Sequence, residues 1–493
     1  MNTFMNELEK DTNYALTENG AVTHQSTLSF VYDMFAFGGA YRKRSADDII
    51  TLFKDAYEEE DKTLALKCLF YLRDCRGGQG ERRFFRVAFN WLAKNHPETA
   101  LRLIEYVSEF GRWDDVIYTT IDTPIWSDVV SFVEKQLRLD LESKTPSLLG
   151  KWMPSENASS YKTKKAAKVL RETLGVTSRE YRKMLSMLRK KINIVERLMS
   201  ENRWDEIEFD KIPSKAGLIY KNAFARRDII AQKYKAFATN SETKVNAGTL
   251  YPYDVVKQAL SADVRNQTDR VMINKYWDNL PDYFNGKKCN MMCVVDTSGS
   301  MTWGEGSVLP IHVAISLGLY CAERISGPFA NHFISFSRTP HLVYTHGSDF
   351  VDKAKRIYKN SINENTNLIG VFELLLRTAK KENVREEDIP ETIVIISDME
   401  IDGGGLGYWF DENNHMLTDM ELMRHKWEAA GFIMPKLVYW NVDARNNNIL
   451  DLSPDVSYVS GCSPIIFEQV MTGKTGYDLM LQTLNTDRYA CIK

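Results

Sequence analysis

The segment DTSGSM, residues 296–301, carries side-chain oxygens at alternate positions: Asp296, Ser298 and Ser300. It follows the apolar run CNMMCVV, so an expected buried strand ends in an acid and then in hydroxyls. Two further oxygen donors fit with these. Thr366 lies in NENTNLIGVF, just ahead of an expected helix, and Asp398 closes the apolar run TIVIIS. Asp, Ser, Ser, Thr and Asp are hard donors, the set that suits Mg²⁺ (or another divalent cation) retaining several waters. The alternation throws Asp296, Ser298 and Ser300 to one side of the turn, and Gly299 lets the backbone curl. Only two of the five donors are charged, so a bound dication stays under-neutralised and could take a carboxylate from another molecule. Against this, a D-x-S-x-S string arises by chance in roughly 10% of chains this long. Ser-Gly-Ser is also ordinary turn chemistry. The placement after a first strand, before a helix and at the end of a later strand favours the metal site.

These donors need a scaffold that brings strand ends together. CNMMCVVD, NHFISFS, ETIVIISD and PKLVYWNVD are short, apolar and rich in β-branched or aromatic residues. Between them lie the helical stretches SVLPIHVAISLGLYCAERI, NLIGVFELLLRTAKKEN and DMELMRHKWEAAGF. Strands alternating with helices predict βαβ units around a buried parallel sheet, a doubly wound α/β domain over residues 287–493. In such sheets ligands sit beyond the carboxyl ends of the strands, where Asp296 and Asp398 both fall. WDNLPDYFNGKK, with Pro281 and Gly286, is the expected linker.

Upstream, from about residue 25 to 275, apolar residues recur at helical spacing. SADDIITLFKDAYEEEDKTLALKCLFYLRDC predicts two amphipathic helices joined by an acidic turn, with breaks further on at His96-Pro97 and Gly111. Residues 1–280 are expected to form a HEAT-like helical-repeat domain, although no clean sequence period appears.

At 493 residues the chain is too long for one ordinary core. Its 44% hydrophobic and 26% charged content is that of a globular protein, and its formal charge of −3 gives no global attraction to nucleic acid. The opening MNTFMNELEKDTNYALTENG lacks the basic and apolar pattern of a secretion leader, and no apolar run is long enough to span a bilayer. The seven cysteines are scattered without a CxxC pair. A reduced, cytoplasmic setting without membrane contact is expected.

DTSGSM, NTNL and ISDMEID resemble the metal-ion-dependent adhesion site of von Willebrand factor A domains. That resemblance assigns the cation to Asp296, Ser298, Ser300, Thr366 and Asp398. It also implies direct coordination by the two serines and usually the threonine, with the aspartates often acting through water. The order of helical module then A domain resembles the Ro autoantigen family, whose TROVE module is a helical-repeat ring closed by such a domain. ENGAVTHQSTLSFVYDMFAFGGAYR, FYLRDCRGGQGERRFFR, EFGRWDDVIY and SLLGKWMPSENASS extend the resemblance, most of all to bacterial and phage-borne Ro-like proteins. It implies a monomeric ring that binds small structured or misfolded non-coding RNA.

A charge asymmetry bears on that implication. Residues 151–191 hold twelve Lys or Arg and three Glu, a formal +9 that leaves −12 on the remainder. The candidate RNA contacts are Lys162, Lys164, Lys165, Lys168, Arg171, Arg179, Arg182, Lys183, Arg189, Lys190 and Lys191, with Tyr161 and Tyr181 able to stack on bases. Phosphate neutralisation would supply most of the affinity. The alternative is a solvated helix face with some lysines paired to acids elsewhere.

RDCRGGQGERR, residues 73–83, lacks the Lys-Ser/Thr of a phosphate loop and reads as a glycine turn, though Arg76, Arg82 and Arg83 could add to a basic surface. TGKTG, residues 472–476, reads as a loop before the final helix. No HExxH pair or G-x-S-x-G elbow is present. His312 is expected in a helix core or shell, and His341 and His346 in a loop. No enzyme activity is expected. Three readings remain: a Ro-like RNA-binding protein, a metal-dependent protein scaffold that captures a partner's Glu or Asp, and, less favoured, a metal-dependent nuclease.

Overall fold

The computed structural model describes residues 13–263, 266–303, 308–336, 338–361, 365–403, 409–410 and 416–493. The strands among them are β1 (Tyr14–Leu16), β2 (Val22–His24), β3 (Met291–Asp296), β4 (His332–Phe336), β5 (His341–Tyr344), β6 (Thr392–Ser397), β7 (Trp409–Phe410), β8 (Met416–Leu417), β9 (Lys436–Asn441) and β10 (Val456–Ser460).

Six of them form one sheet in the order β10-β9-β6-β3-β4-β5. The neighbours run parallel except at the edge, where β4 and β5 are antiparallel. Every residue of β3 is buried, as are all but the first of β6 and β9. Continuous apolar runs buried on both faces are what a sheet covered by crossover helices requires. Helices Pro310–Arg324, Leu368–Glu382 and Asp419–Ala429 lie in the chain where the periodicity predicts them. β5 alternates half-buried and exposed residues, as a short edge strand does. It makes the sheet mixed rather than wholly parallel.

The chain leaves β3 for β4 on one side and returns to β6 on the other, so the strand order reverses between β3 and β6. A crevice opens beyond the carboxyl ends of strands at such a point. Val295 is in register with Ile396, so Asp296 and Ser397 finish adjacent strands side by side.

Two compact units make up the chain, and their division does not follow the boundary expected near residues 281–286. One unit joins the residues up to Cys68 with Leu250–Cys491; the other is Leu69–Thr249. The reason is that the N-terminal segment is built into the sheet unit. The Tyr32 hydroxyl accepts the Tyr458 N–H at 2.9 Å on edge strand β10, and the Gly39 N–H donates to Ser460 Oγ at 2.9 Å. The β1–β2 hairpin, which apolar periodicity does not announce, bonds to the loop after β6 through Thr17 Oγ1 and the Ile401 carbonyl at 2.6 Å. The expected linker is also packed. Trp277 stacks on Phe350 with centroids 4.0 Å apart, its Nε1 donates to Glu323 at 2.7 Å, and Phe284 is fully buried.

The second unit contains no strand among the described residues. Helices Arg82–Asn95, Pro97–Phe110 and Trp113–Thr120 break where His96-Pro97 and Gly111 predict. Phe70, Phe85, Phe89 and Phe110 form an edge-to-face and stacked aromatic core between them, with centroids 5.3–6.3 Å apart. A second aromatic core of Phe209, Phe224, Tyr234 and Phe237 sits against helices Ser214–Arg226 and Asp228–Thr239.

Candidate functional site

Asp296 ends β3 fully buried. Its Oδ1 accepts the Ser298 N–H at 2.8 Å, a turn that folds DTSGS back over the strand end. Its Oδ2 accepts the Ser397 hydroxyl at 2.5 Å. Ser298 Oγ lies 3.1 Å from Ser300 Oγ, and Ser300 also hydrogen-bonds Asp398. Asp398 Oδ1 accepts the Glu400 N–H at 3.2 Å, and Oδ2 accepts from Arg445 Nη2 at 3.0 Å.

The turn that aims Asp398 is strained. Met399 has φ 63°, a left-handed conformation that costs a side-chain-bearing residue about 1–2 kcal/mol. The Ser397 hydroxyl holds it by accepting the Met399 N–H at 3.0 Å. Strain of this kind clusters at functional sites, and here it sits beside a candidate ligand. Thr366 joins the same rim: its carbonyl accepts the Asp402 N–H at 3.0 Å, which ties the loop ahead of helix Leu368–Glu382 to the loop after Asp398. Asp296, Ser298, Thr366 and Asp398 are each at most 1% exposed.

Burial raises both carboxyls above the usual carboxylate range, and for Asp296 the charge of Asp398 adds to the effect. Arg445 partly offsets this at Asp398. Two buried, mutually repelling carboxylates beside a pair of hydroxyls fit a small hard cation, which would favour the charged form of both. Among the described residues no group of three or more His, Cys, Asp or Glu is placed to hold a metal, so such a centre depends on hydroxyls and water. Ser397 and Arg445 belong to the rim but are not picked out by the adhesion-site pattern. Ser397 shows itself only once the β3–β6 register is known, and Arg445 only once the segment after β9 is placed beside β6.

The basic segment forms helices Tyr161–Thr173 and Ser178–Ile192. Lys162, Lys164, Lys165, Arg179, Lys183 and Lys190 are exposed and have no ion pair among the described residues. Lys168 is exposed, 4.0 Å from Glu172. Four other candidates are engaged within the fold. Arg171 pairs with Glu156 at 3.0 Å, and Arg182 lies 4.0 Å from the same carboxylate. Arg189 donates to the carbonyls of Gly150 and Met153 at 3.0 and 3.1 Å, and Lys191 to those of Leu141 and Ser143. Tyr161 is 80% exposed, but Tyr181 is buried with its hydroxyl on the Pro154 carbonyl at 2.8 Å, so it cannot stack on a base.

His312 Nδ1 accepts the Leu309 N–H at 3.2 Å and so caps its helix. His341 opens edge strand β5 rather than lying in a loop. All seven cysteines are free thiols. No helix among the described residues is long and apolar enough to cross a membrane.

Comparison with known proteins gives three results. A family described as Domain of unknown function (DUF7788) matches residues 290–485, and one described as Domain of unknown function (DUF2828) matches 17–173 and 147–282. The chain is 30% identical over 511 aligned positions to Uncharacterized protein L728 of Acanthamoeba polyphaga mimivirus, covering 94% of this chain and 85% of that protein. A solved structure to which it is similar is the Deinococcus radiodurans Ro (RSR) protein. The TM-score is 0.38 at 15% identity over 93% of this chain and 96% of that one, a level that fixes no function. By the extent of the helical match and by its viral relative, the chain belongs to the DUF2828 family, with a DUF7788 domain following.

Proposed function

We propose that this chain is a Ro-like RNA-binding protein that takes small structured or misfolded non-coding RNA on the face formed by helices Tyr161–Thr173 and Ser178–Ile192. The observation that carries this reading is the set of exposed, unpaired cations at Lys162, Lys164, Lys165, Arg179, Lys183 and Lys190. The three glutamates of the basic segment leave it with +9 in a chain of −3, a concentration of charge that suits a phosphate-binding surface. Such a surface binds phosphates by releasing their counterions, so affinity falls steeply with salt. A salt-dependent gel shift with small RNAs, together with sequencing of the RNA that co-purifies, tests it. The absence of binding even at low salt would overturn it.

The rim of the sheet supports a second, compatible role. Asp296, Ser298, Ser300, Thr366 and Asp398 would hold Mg²⁺, which when bound offers a Lewis-acidic position to an incoming carboxylate. Asp296 and Asp398 supply the charge, Ser397 fixes Asp296, and Arg445 limits the negative charge. We read this as a docking point for a partner's Glu or Asp and assign no catalytic step to it. Mg²⁺ at a hundred times its dissociation constant should stabilise the chain by about 2.7 kcal/mol, seen as a raised melting temperature. Asp398→Asn should abolish that rise.

A further inference from the structure

A cluster of guanidiniums on the helical unit is not part of the site read from the basic segment. Asp114 and Asp115 between them hold three arginines. Arg73 and Arg86 reach Asp115 at 2.7 and 2.6 Å, while Arg86 and Arg112 share Asp114 Oδ2 at 2.7 and 2.5 Å. Both carboxylates are therefore fully used, and the group carries one excess positive charge. Arg82 stands one helical turn before Arg86, exposed and with no ion pair among the described residues. Partial burial, and then the neighbouring Arg86 and Arg112, hold its guanidinium below the usual arginine range, ahead of any attraction from the two aspartates. Like charges are gathered here rather than spread apart.

The gathered groups are also held rigidly. Arg86 lies over the Tyr118 ring at 4.8 Å and Arg112 over the Trp152 ring at 3.9 Å. Arg112 donates from both Nε and Nη2 to Asp114, and Arg86 bridges the pair, Nε to Asp115 and Nη2 to Asp114; with the ring contacts this fixes the plane of each guanidinium and leaves its Nη1 without a protein partner among the described residues. Lys162 covers the same Tyr118 ring at 5.7 Å, and Lys151 the same Trp152 ring at 5.5 Å. Both rings are occupied by cations, so they are not platforms for bases. Preorganised forks with free donor edges and surplus charge match a phosphate oxyanion.

We propose that Arg82, Arg86 and Arg112 form a binding site for a phosphate group. Two sources share that chemistry: the backbone or end of a nucleic-acid strand, and a free polyphosphate. Lys162 belongs both to this cluster and to the basic helix, so a strand lying on that helix would reach the arginines. That extension rests on the RNA reading, but phosphate binding itself does not.

The experiment titrates the full chain at low salt with tripolyphosphate by calorimetry and with a short oligouridylate by fluorescence anisotropy. The Arg82→Ala and Arg82→Lys variants are measured beside it. The chain should bind tripolyphosphate, and Arg82→Ala should weaken that binding about tenfold, the loss of one charge-assisted fork. Arg82→Lys should recover only part, because it restores charge without the fork. Melting temperatures should be unchanged, since Arg82 holds no ion pair among the described residues. A parallel tenfold loss for oligouridylate assigns the site to nucleic acid, whereas loss confined to tripolyphosphate assigns it to a free polyphosphate. Tripolyphosphate binding that is absent in the parent chain, or undiminished in Arg82→Ala, would overturn the proposal. The RNA reading is judged separately, by variants of the basic helices that leave Arg82 in place.

Discussion

Arg445 places Nη2 3.0 Å from Asp398 Oδ2, in a rim that also holds the buried carboxyl of Asp296. Its Nη1 lies 2.9 Å from Glu18 on the N-terminal hairpin. One guanidinium thus neutralises part of the candidate metal site and links it to the turn that crosses the loop after β6. A cation next to a metal ligand opposes the metal. Arg445→Gln should therefore tighten Mn²⁺ binding about tenfold, the scale of one charge at a few ångströms in a partly solvated site. It should lower the melting temperature without metal, because two buried carboxylates then face each other uncompensated. Calorimetric Mn²⁺ titration measures the first effect, and unchanged affinity would rule out Arg445 as the counter-charge.

Asp33 gives a pH dependence that does not involve the rim. It lies on helix Phe30–Phe37, accepting the Ser26 hydroxyl at 2.5 Å and the Thr27 N–H at 2.7 Å. Burial pushes its carboxyl up to about 6, against the opposing effect of those hydrogen bonds. The folded state holds this proton more tightly than the unfolded chain does. The group's contribution to stability is complete below about pH 4, declines as pH rises through 6, and is flat above that. The shift corresponds to about 3 kcal/mol between pH 4 and pH 7. Denaturant melts of Asp33→Asn across that range should lack this decline, and a slope identical to the parent chain's would refute the assignment.

The sheet is legible in the sequence because its strands are apolar runs with β-branched residues, flanked by helices of clear period. MMCVVD and TIVIIS could hardly be anything but buried strands, and the acids that follow them mark the rim. β5 escapes such a reading because HLVY is short, with Leu342 and Tyr344 exposed at the edge. The β1–β2 hairpin escapes it because each strand has three residues and is held by long-range bonds from Thr17 and His24 to residues more than 380 positions away. Local pattern carries no trace of such pairings. The same limit explains Arg189 and Lys191: their type marks them as phosphate ligands, but only the fold brings the backbone carbonyls of residues 141–153 within their reach.

Gly39 tests whether the N-terminal segment is integral to the sheet unit. A Cβ added there would stand 2.5 Å from the Ser460 carbonyl oxygen, backbone that cannot swing aside. Gly39→Ala should destabilise by about 1–3 kcal/mol through overpacking. Gly248 has nothing within 4 Å of the same added atom, so Gly248→Ala should stay within about 0.5 kcal/mol of the parent. Equal melting of the two variants would mean that the close packing of Gly39 on β10 adds little to stability.

The basic helices make opposite demands on two kinds of cation. Lys164 and Lys165 are exposed and have no ion pair among the described residues, whereas Arg189 is half-buried against the carbonyls of Gly150 and Met153. Removing the lysines should leave stability within about 0.5 kcal/mol of the parent, because their heads lie in solvent. It should weaken RNA binding whatever the RNA sequence, and reduce the slope of log affinity against log salt by about 0.7–0.9 for each phosphate that is no longer neutralised. Arg189→Ala should do the reverse. It leaves buried carbonyls without donors, which costs about 1–3 kcal/mol, while the salt slope stays that of the parent chain. Measuring melts and salt titrations on Lys164→Ala/Lys165→Ala and on Arg189→Ala separates the roles. A salt slope that falls with Arg189 and not with the lysine pair would put the phosphates somewhere other than this exposed face.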